Sequence, residues 1–539
     1  MAATGMPVTG SAPEVSSSDT RRILCVCPRY TSAFGMFEHA YPLTGRVRAL
    51  MPPQGLLLIA ASLPKSWEVR LVDENIRPAT RDDFLWADAV LVTGMHAQRR
   101  QIEEICRRAH ALGRTTVLGG SSVSACREFY PGFDYLHVGE LGDATDALIA
   151  RLAKDPSRPD RQVVLETRER RDLADFPVPA YDLCELDRYL TGSIQYSSGC
   201  PYHCEFCDIP ALYGRNPRLK SPAQVLAELD TLLACGMTGP IYFVDDNFIG
   251  NRRAVRELLP ALVDWQKAHG YPFIFSCEAT LNIAKRPEIL ALMREAVFET
   301  VFCGIETPEP EALEAISKDH NMMVPIVEAV ETLNAHGLEV VSGIILGLDT
   351  DRPDTGRRVL DFVEATKIPM LTINLLQALP RTPLWDRLEK EGRLLDDESR
   401  DSNVDFKMPY DQVIAMWRDC MEKAFSPAAV FARYRHQLDH TYPNRLSPPL
   451  SQRHVPWSDV KRGLRMLRNV LWTVGVKSDY RREFWRVALA CLRRGQIEHL
   501  IRIGVMAHHL ILSARDASAG RQKASHYSAR PEEVPMAAE

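Results

Sequence analysis

Two blocks of alternating strand-like and helix-like pattern fill the chain from about residue 21 to residue 385. In the first block, the apolar runs Ile23–Cys27, Val69–Val72, Ala89–Val92, Thr116–Leu118 and Tyr135–Val138 read as strands. Between them, Gly55–Leu63, Arg81–Ala87 and Gln98–Leu112 repeat their apolar residues at helical spacing. Alternation of this kind predicts an α/β domain over 21–155, a Rossmann-like doubly wound parallel sheet. Sheets of that type hold ligands beyond the carboxyl ends of their strands. Thr93 and the pair Gly119-Gly120 fall at two such ends, and glycine there lets backbone come close to a ligand.

Residues 156–190 are charged and then turn-rich at Phe176–Pro179, which reads as a linker. The second block, 191–385, repeats the β/α unit six times, with strands at Ile194–Ser197, Ile241–Val244, Phe273–Ser276, Val301–Cys303, Val340–Ile344 and Leu371–Leu375. Six units predict a partial (β/α)6 barrel, whose chemistry gathers at the carboxyl ends of the strands. Asp245, Asp246, Glu278, Thr280, Glu306, Gly343, Gly347 and Gln377 fall at or near those ends.

Beyond 385 the pattern changes. Residues 386–515 are expected to be mostly helical, although 386–455 mixes charge, proline and aromatics without a clear period. Residues 461–515 carry twelve Lys and Arg against Asp479, Glu483 and Glu498, with Trp472 and Trp485 between them. The apolar run Leu500–Leu512 is too short to span a bilayer and is interrupted by Arg502, His508 and His509. Two readings remain open: a helical cap packed on the barrel, or an amphipathic surface lying in a membrane interface.

Composition narrows the class. With 45% hydrophobic and 25% charged residues the chain has the make-up of an ordinary globular protein. A net charge of −5 argues against a nucleic-acid partner, which calls for a basic surface. Residues 1–20 lack the apolar core of a signal peptide and, like 516–539, read as a tail. Thirteen cysteines, scattered through apolar segments, fit a reducing cytoplasm rather than a disulfide framework.

Three of those cysteines stand apart. Cys200, Cys204 and Cys207 lie on one loop, at spacings of four and three residues. A four-iron cubane takes cysteine thiolates, and three protein ligands leave one iron open to a small molecule. A zinc site closed by His203 is the alternative, but structural zinc favours paired CxxC or histidine sets. The loop resembles the CxxxCxΦC signature of the radical S-adenosylmethionine (SAM) superfamily, with Phe206 at the aromatic position. The resemblance implies a 4Fe–4S cluster on Cys200, Cys204 and Cys207. It also implies SAM contacts for Asp245 and Asp246 at the methionine amino end, Glu278 and Glu306 at ribose or amino groups, and Gly343 and Gly347 beside adenine. The first block resembles a cobalamin-binding domain, with Met51–Leu57 similar to the PPxGL segment of cobalamin-dependent radical SAM proteins. Thr93, Gly119 and Gly120 are then cobalamin contacts. The DxHxxG motif is absent, so no axial histidine is expected.

Over most of its length the chain resembles the hopanoid C-2 methylase family. Glu38–Leu43, Cys200–Lys220, Tyr242–Gly250, Asp319–Val324 and Ser342–Asp351 carry the likeness. The resemblance implies radical methylation of an unactivated ring carbon. SAM is cleaved to methionine and a 5′-deoxyadenosyl radical, hydrogen leaves carbon 2 of the hopanoid A-ring, and methylcobalamin supplies the methyl group. It further implies a hopanoid lipid substrate, an electron donor such as flavodoxin or ferredoxin, and a cytoplasmic enzyme with peripheral contact at the inner membrane face. Radical SAM enzymes acting on another lipid, a small molecule, RNA or protein remain alternatives, as does a non-catalytic cobalamin sensor.

Overall fold

The computed structural model describes residues 20–521 apart from 396, 398 and 454. Most of the two expected tails lies outside the described residues, but the last helix continues to Ser518.

Strands β1 (Arg22–Cys27), β2 (Glu68–Asp73), β3 (Ala89–Val92), β4 (Thr115–Leu118), β5 (Tyr135–Val138) and β6 (Val163–Glu166) form one parallel sheet. Their order is β2-β1-β3-β4-β5-β6. Leu24, Val26, Val90 and Val92 face one apolar layer, and Ile23, Cys25, Ala89 and Leu91 the other. Burial on both faces explains why these strands read as unbroken apolar runs. The chain reverses its winding between β1 and β3, where open sheets form a crevice. Strand β6 corrects the expected linker. Residues 163–166 pair with β5 at the sheet edge, and their half-buried, half-exposed alternation left too weak an apolar signal.

The second sheet is also parallel. It contains β7 (Gly192–Ile194), then, after a short antiparallel ribbon of β8 (Ser197–Ser198) and β9 (Arg218–Leu219), the strands β10 (Gly239–Phe243), β11 (Phe273–Glu278), β12 (Phe298–Glu306), β13 (Glu339–Leu346) and β14 (Met370–Leu375). The order β14-β13-β12-β11-β10-β7 follows the sequence, and β7 and β14 do not pair with each other, so the barrel stays open. The strand expected over Ile194–Ser197 is broken at Gln195-Tyr196, which lets the chain leave the barrel wall and enter the cysteine loop.

The C-terminal helices share the barrel's core. Helix Tyr410–Ala424 lies on β14, where Trp417 Nε1 donates to the Ile373 carbonyl at 2.8 Å. Helix Ile497–Ser518 packs inward, with Leu500, Ile503, Val505, Leu510 and Ile511 buried. The interfacial reading of 500–512 is therefore overturned. Arg502, which interrupts the run, donates to Glu299 Oε2 at 2.7 Å and to Thr300 Oγ1 at 2.8 Å. Arg445 reaches the same Glu299 oxygen at 2.8 Å. Glu299 and Glu339 lie at the amino ends of β12 and β13, so these pairs fasten the cap to the end of the barrel opposite the cysteine loop. Among the described residues no helix is long and apolar enough to cross a membrane.

Candidate active site

The cysteine loop is anchored from both sides. Gly199 has φ +97°, and a Cβ there would sit 2.8 Å from the Gly214 carbonyl, so the loop needs glycine at this position. The same carbonyl accepts from Cys200 N at 3.2 Å, and Cys207 N donates to the Cys204 carbonyl at 3.1 Å. Asn247 Nδ2 approaches Cys200 Sγ at 4.0 Å. Burial pushes all three thiols above their ordinary range. Unligated, they stay protonated at neutral pH, and a cationic cluster would reverse that preference. No set of three or more His, Cys, Asp or Glu among the described residues is arranged to hold a single metal ion. Thiols that grip three corners of a four-iron cube stand farther apart than the ligands of one ion. Three partly buried thiols on a fixed loop therefore fit a cubane's donor set.

Behind the loop stand the carboxylates. Asp245 is almost fully buried, and its carboxylate accepts from the backbone N–H groups of Tyr196 and Ser197. Asp246 accepts from Gly199 N at 2.7 Å. Glu278 accepts from Tyr242 Oη at 3.1 Å. Burial raises their pKa values, to about 7 for Asp245, about 6 for Asp246 and about 7 for Glu278. A cluster of recessed acids holding protons near neutrality is suited to a cationic guest. The one ion pair among these acids is Lys318 Nζ to Glu306 Oε1, at 2.5 Å. Lys318 also lies 5.5 Å from the centre of the Phe206 ring, inside the cysteine loop. The register of β12 on β13 shifts at Ile305, and Glu306 takes φ +66°, a costly conformation for a non-glycine residue. Beside the loop, Tyr202 stacks on His320 at 3.8 Å and accepts from Asn282 Nδ2 at 2.6 Å.

The carboxyl ends of the two sheets face each other across one cavity. The first sheet contributes Thr93, Gly119, Gly120, His137, Gly139 and Glu140. The barrel contributes Gln195, Ser198, Leu212, Tyr213, Val244 and Asp246. The space is about 1260 Å³ including its open mouth. The two glycines do different work. A Cβ on Gly119 would meet nothing nearer than His137 at 4.0 Å, so its surface is free for a ligand. Gly120 has φ +98°, and a Cβ would strike Thr93 Oγ1 at 2.4 Å, so it is required by the backbone itself. His137 faces this space, but its Nε2 is held by Thr145 Oγ1 at 2.9 Å. A glycine-walled cradle with that imidazole already engaged fits a cobalamin bound without an axial histidine. Glu140 spans the two domains: Ser198 Oγ donates to its Oε1 at 3.1 Å, and Arg218 and Arg170 pair with its Oε2.

Several sequence-derived positions take on other duties here. Asp245 is a backbone anchor of the loop, because its oxygens are already used, and Asp246 is the member of the pair that faces the cavity. Gly347 has φ +91°, and its Cβ would lie 2.6 Å from the Phe406 ring, so a C-terminal aromatic covers the adenine position the resemblance gave it. Its N–H donates to Asp351 Oδ2 at 2.7 Å. Gly343 lies beside Thr372 Oγ1 and close to Glu306. Thr280 Oγ1 donates to Asn282 Oδ1 at 2.9 Å, and Gln377 binds the Asp401 carbonyl at 2.9 Å; both are local braces. Sequence reasoning missed Glu140 and Lys318. Gly139-Glu140 directly follows a strand, the same signal that singled out Gly119-Gly120. Lys318 carried no comparable signal, since its partner lies twelve residues upstream, beyond helix Pro310–Ala315.

Comparison with known proteins follows the same division. A B12 binding domain profile matches residues 42–149, the radical SAM superfamily profile matches 194–363, and a domain of unknown function matches 382–523. The chain is 62% identical to the hopanoid C-2 methylase of Rhodopseudomonas palustris strain TIE-1, over 97% of this chain and 99% of that one. It is 36% identical to an uncharacterized methyltransferase of Synechocystis sp., over 91% of each. In structure it resembles the cobalamin-dependent S-adenosylmethionine radical enzyme OxsB with aqua-cobalamin bound. The TM-score is 0.59 at 15% identity, over 93% of this chain and 81% of that one, a likeness of fold.

Proposed function

The chain belongs to the hopanoid C-2 methylase family of cobalamin-dependent radical SAM methyltransferases, and from that membership we propose that it methylates carbon 2 of a hopanoid. The observation that carries the reading is identity running from end to end of a hopanoid C-2 methylase, C-terminal cap included. When bound, the cluster and cobalamin supply an electron for SAM cleavage and a methyl group for a carbon without acidity.

The chain's own residues hold, orient and shield. Cys200, Cys204 and Cys207 would hold the cluster on a loop that Asp245 and Asp246 tie to the barrel. Asp246 and Glu278 are the acids that would meet the cationic end of SAM, while Lys318, paired with Glu306, offsets the acid cluster from within. Thr93, Gly119 and Gly120 line the cobalamin side, with the opposite wall formed by the cysteine loop's own neighbours. The two domains close over one space, which excludes water from a radical that would otherwise be quenched.

An electron donor of the flavodoxin or ferredoxin kind serves the cluster. The enzyme works in the cytoplasm, attached peripherally at the inner face of the membrane that holds its substrate. Expression in a host that makes hopanoids unmethylated at carbon 2 tests the assignment. Appearance of 2-methylhopanoids with the wild type, and none with Cys204→Ala, is expected. A methyl group on any other position or lipid overturns it.

A further inference from the structure

Helix Trp457–Trp472 and helix Arg481–Arg493, joined by a π-helical turn over Thr473–Lys477, leave one face uncovered. Along the first helix, Trp457, Lys461, Leu464, Arg468 and Trp472 recur every three or four residues, which puts them on one stripe. Trp457, Leu464 and Trp472 are 67%, 60% and 56% exposed, far more than side chains of their size in a core. Val476, Leu489 and Leu492 extend the exposed apolar surface across the turn and the second helix. Isolated exposed apolar residues need no explanation, but two tryptophans and four aliphatics on neighbouring helices do.

The charge on this face has one sign. Lys461 and Lys477 lie over the rings of Trp457 and Trp472, at 6.0 and 5.3 Å. Arg465, Arg468, Arg481, Arg482 and Arg493 are exposed, with no carboxylate partner among the described residues. The nearby acids are already neutralised: Asp459 by Arg462, Glu483 by Arg486 and Asp479 by Arg515. Between the helices a shallow groove has Gly475 and Trp485 in its wall and Arg481, Arg482 and Arg486 among its lining.

We propose that this face is the docking surface for an anionic lipid bilayer. Indole rings and aliphatic side chains enter the head-group boundary while lysines and arginines meet lipid phosphates, the pattern of interfacial helices. The inference rests on the lipid-substrate reading and gives it an address. That address lies mostly within the segment 461–515 that the sequence indicated but trims and extends it: helix Ile497–Ser518 is core, Arg494 and Arg502 are consumed in ion pairs, and Trp457 lies upstream. The face also fixes an orientation. Thr238, which accepts from Arg462 and donates to Asp459, directly precedes β10, so the first helix starts beside the amino end of the barrel rather than its mouth. Docking here concentrates the enzyme at the membrane without seating the cavity on it.

The test is flotation of the full-length protein with vesicles of phosphatidylcholine alone and of phosphatidylcholine with 30% phosphatidylglycerol, at low and high salt. Wild type is expected to float only with the anionic vesicles and to be released by salt. Arg481→Glu combined with Arg482→Glu, and separately Trp457→Ser with Trp472→Ser, should each lower partitioning by about tenfold or more. Reversal at Arg494 should change it by less than threefold. Circular dichroism and melting confirm that the variants fold. Absence of flotation by the wild type, or a dimer that dissociates in the tryptophan variant, overturns the proposal. Methylation of detergent-dispersed hopanoid is followed in parallel. Wild type that methylates but does not float refutes the docking surface alone, and wild type that floats but methylates nothing refutes the substrate reading alone.

Discussion

Replacing Lys318 by methionine strips the candidate active site of the cation paired with Glu306. The side chains of Lys318 and Glu306 are only 9% and 11% exposed, and Nζ lies 2.5 Å from Oε1. At an effective dielectric of about 20, such a pair attracts by roughly 6–7 kcal/mol before desolvation is subtracted. Removing one partner of a buried pair leaves a bare charge, and the measured cost of that is about 3–5 kcal/mol. Lys318→Met should therefore loosen the region around β12 by that amount, while Lys318→Met with Glu306→Leu should recover most of it. A chain of several domains need not unfold in one step, so the useful assay is hydrogen exchange of peptides covering 298–322. A loss of about 3–5 kcal/mol speeds exchange there roughly 10²- to 4 × 10³-fold if opening is the exchange-limiting equilibrium. Unchanged exchange in Lys318→Met, or a double variant as labile as the single, would refute the idea that the pair holds the strained Glu306 backbone in place.

Cys200→Ala, Cys204→Ala and Cys207→Ala should each abolish SAM cleavage; a variant that still yields full 5′-deoxyadenosine would break the ligand assignment. The cob(II)alamin form should show no nitrogen hyperfine splitting from a protein histidine in electron paramagnetic resonance, because His137 is engaged with Thr145. SAM affinity should rise as pH goes from 5 to 8, because a cation prefers Asp246 and Glu278 ionised. Their pKa values in the unliganded fold lie near 6 and 7, above the ordinary carboxylate range. By the same sign, their contribution to the stability of the unliganded protein is complete below pH 4 and is lost as pH rises through 6 to 7; calorimetry of binding and melting across that range checks both. Glu140→Ala, which severs the bridge from the first sheet to Ser198 and Arg218, should raise the ratio of 5′-deoxyadenosine formed to hopanoid methylated, and an unchanged ratio would remove Glu140 from the alignment of the two halves.

The parts of this molecule built from local pattern were readable in advance. Strands such as Ala89–Val92 are apolar on both faces because helices cover both, and that produces an unmistakable run. The cysteine spacing is likewise local. What escaped is set by partners remote in sequence. Val163–Glu166 is a strand because β5 offers it a free edge, not because its own alternation is strong. Arg502 looks like a break in a membrane-seeking run until Glu299 and Glu339, about 160 to 200 residues upstream, are brought beneath it. Asp245 and Asp246 are adjacent and chemically alike, yet one anchors backbone and the other faces the cavity. Their difference is the strand's own alternation of sides at the point where β10 ends.

Glu140 belongs to the wall of one cofactor's cradle and is gripped by the loop that carries the other. Coupling between two binding sites is reciprocal by thermodynamic necessity. To whatever extent a seated corrin steadies Ser198 and Arg218 through this carboxylate, a seated cluster steadies the corrin equally. Nutrition then enters the chemistry. A shortage of cobalt would then also lower the iron that newly made protein retains.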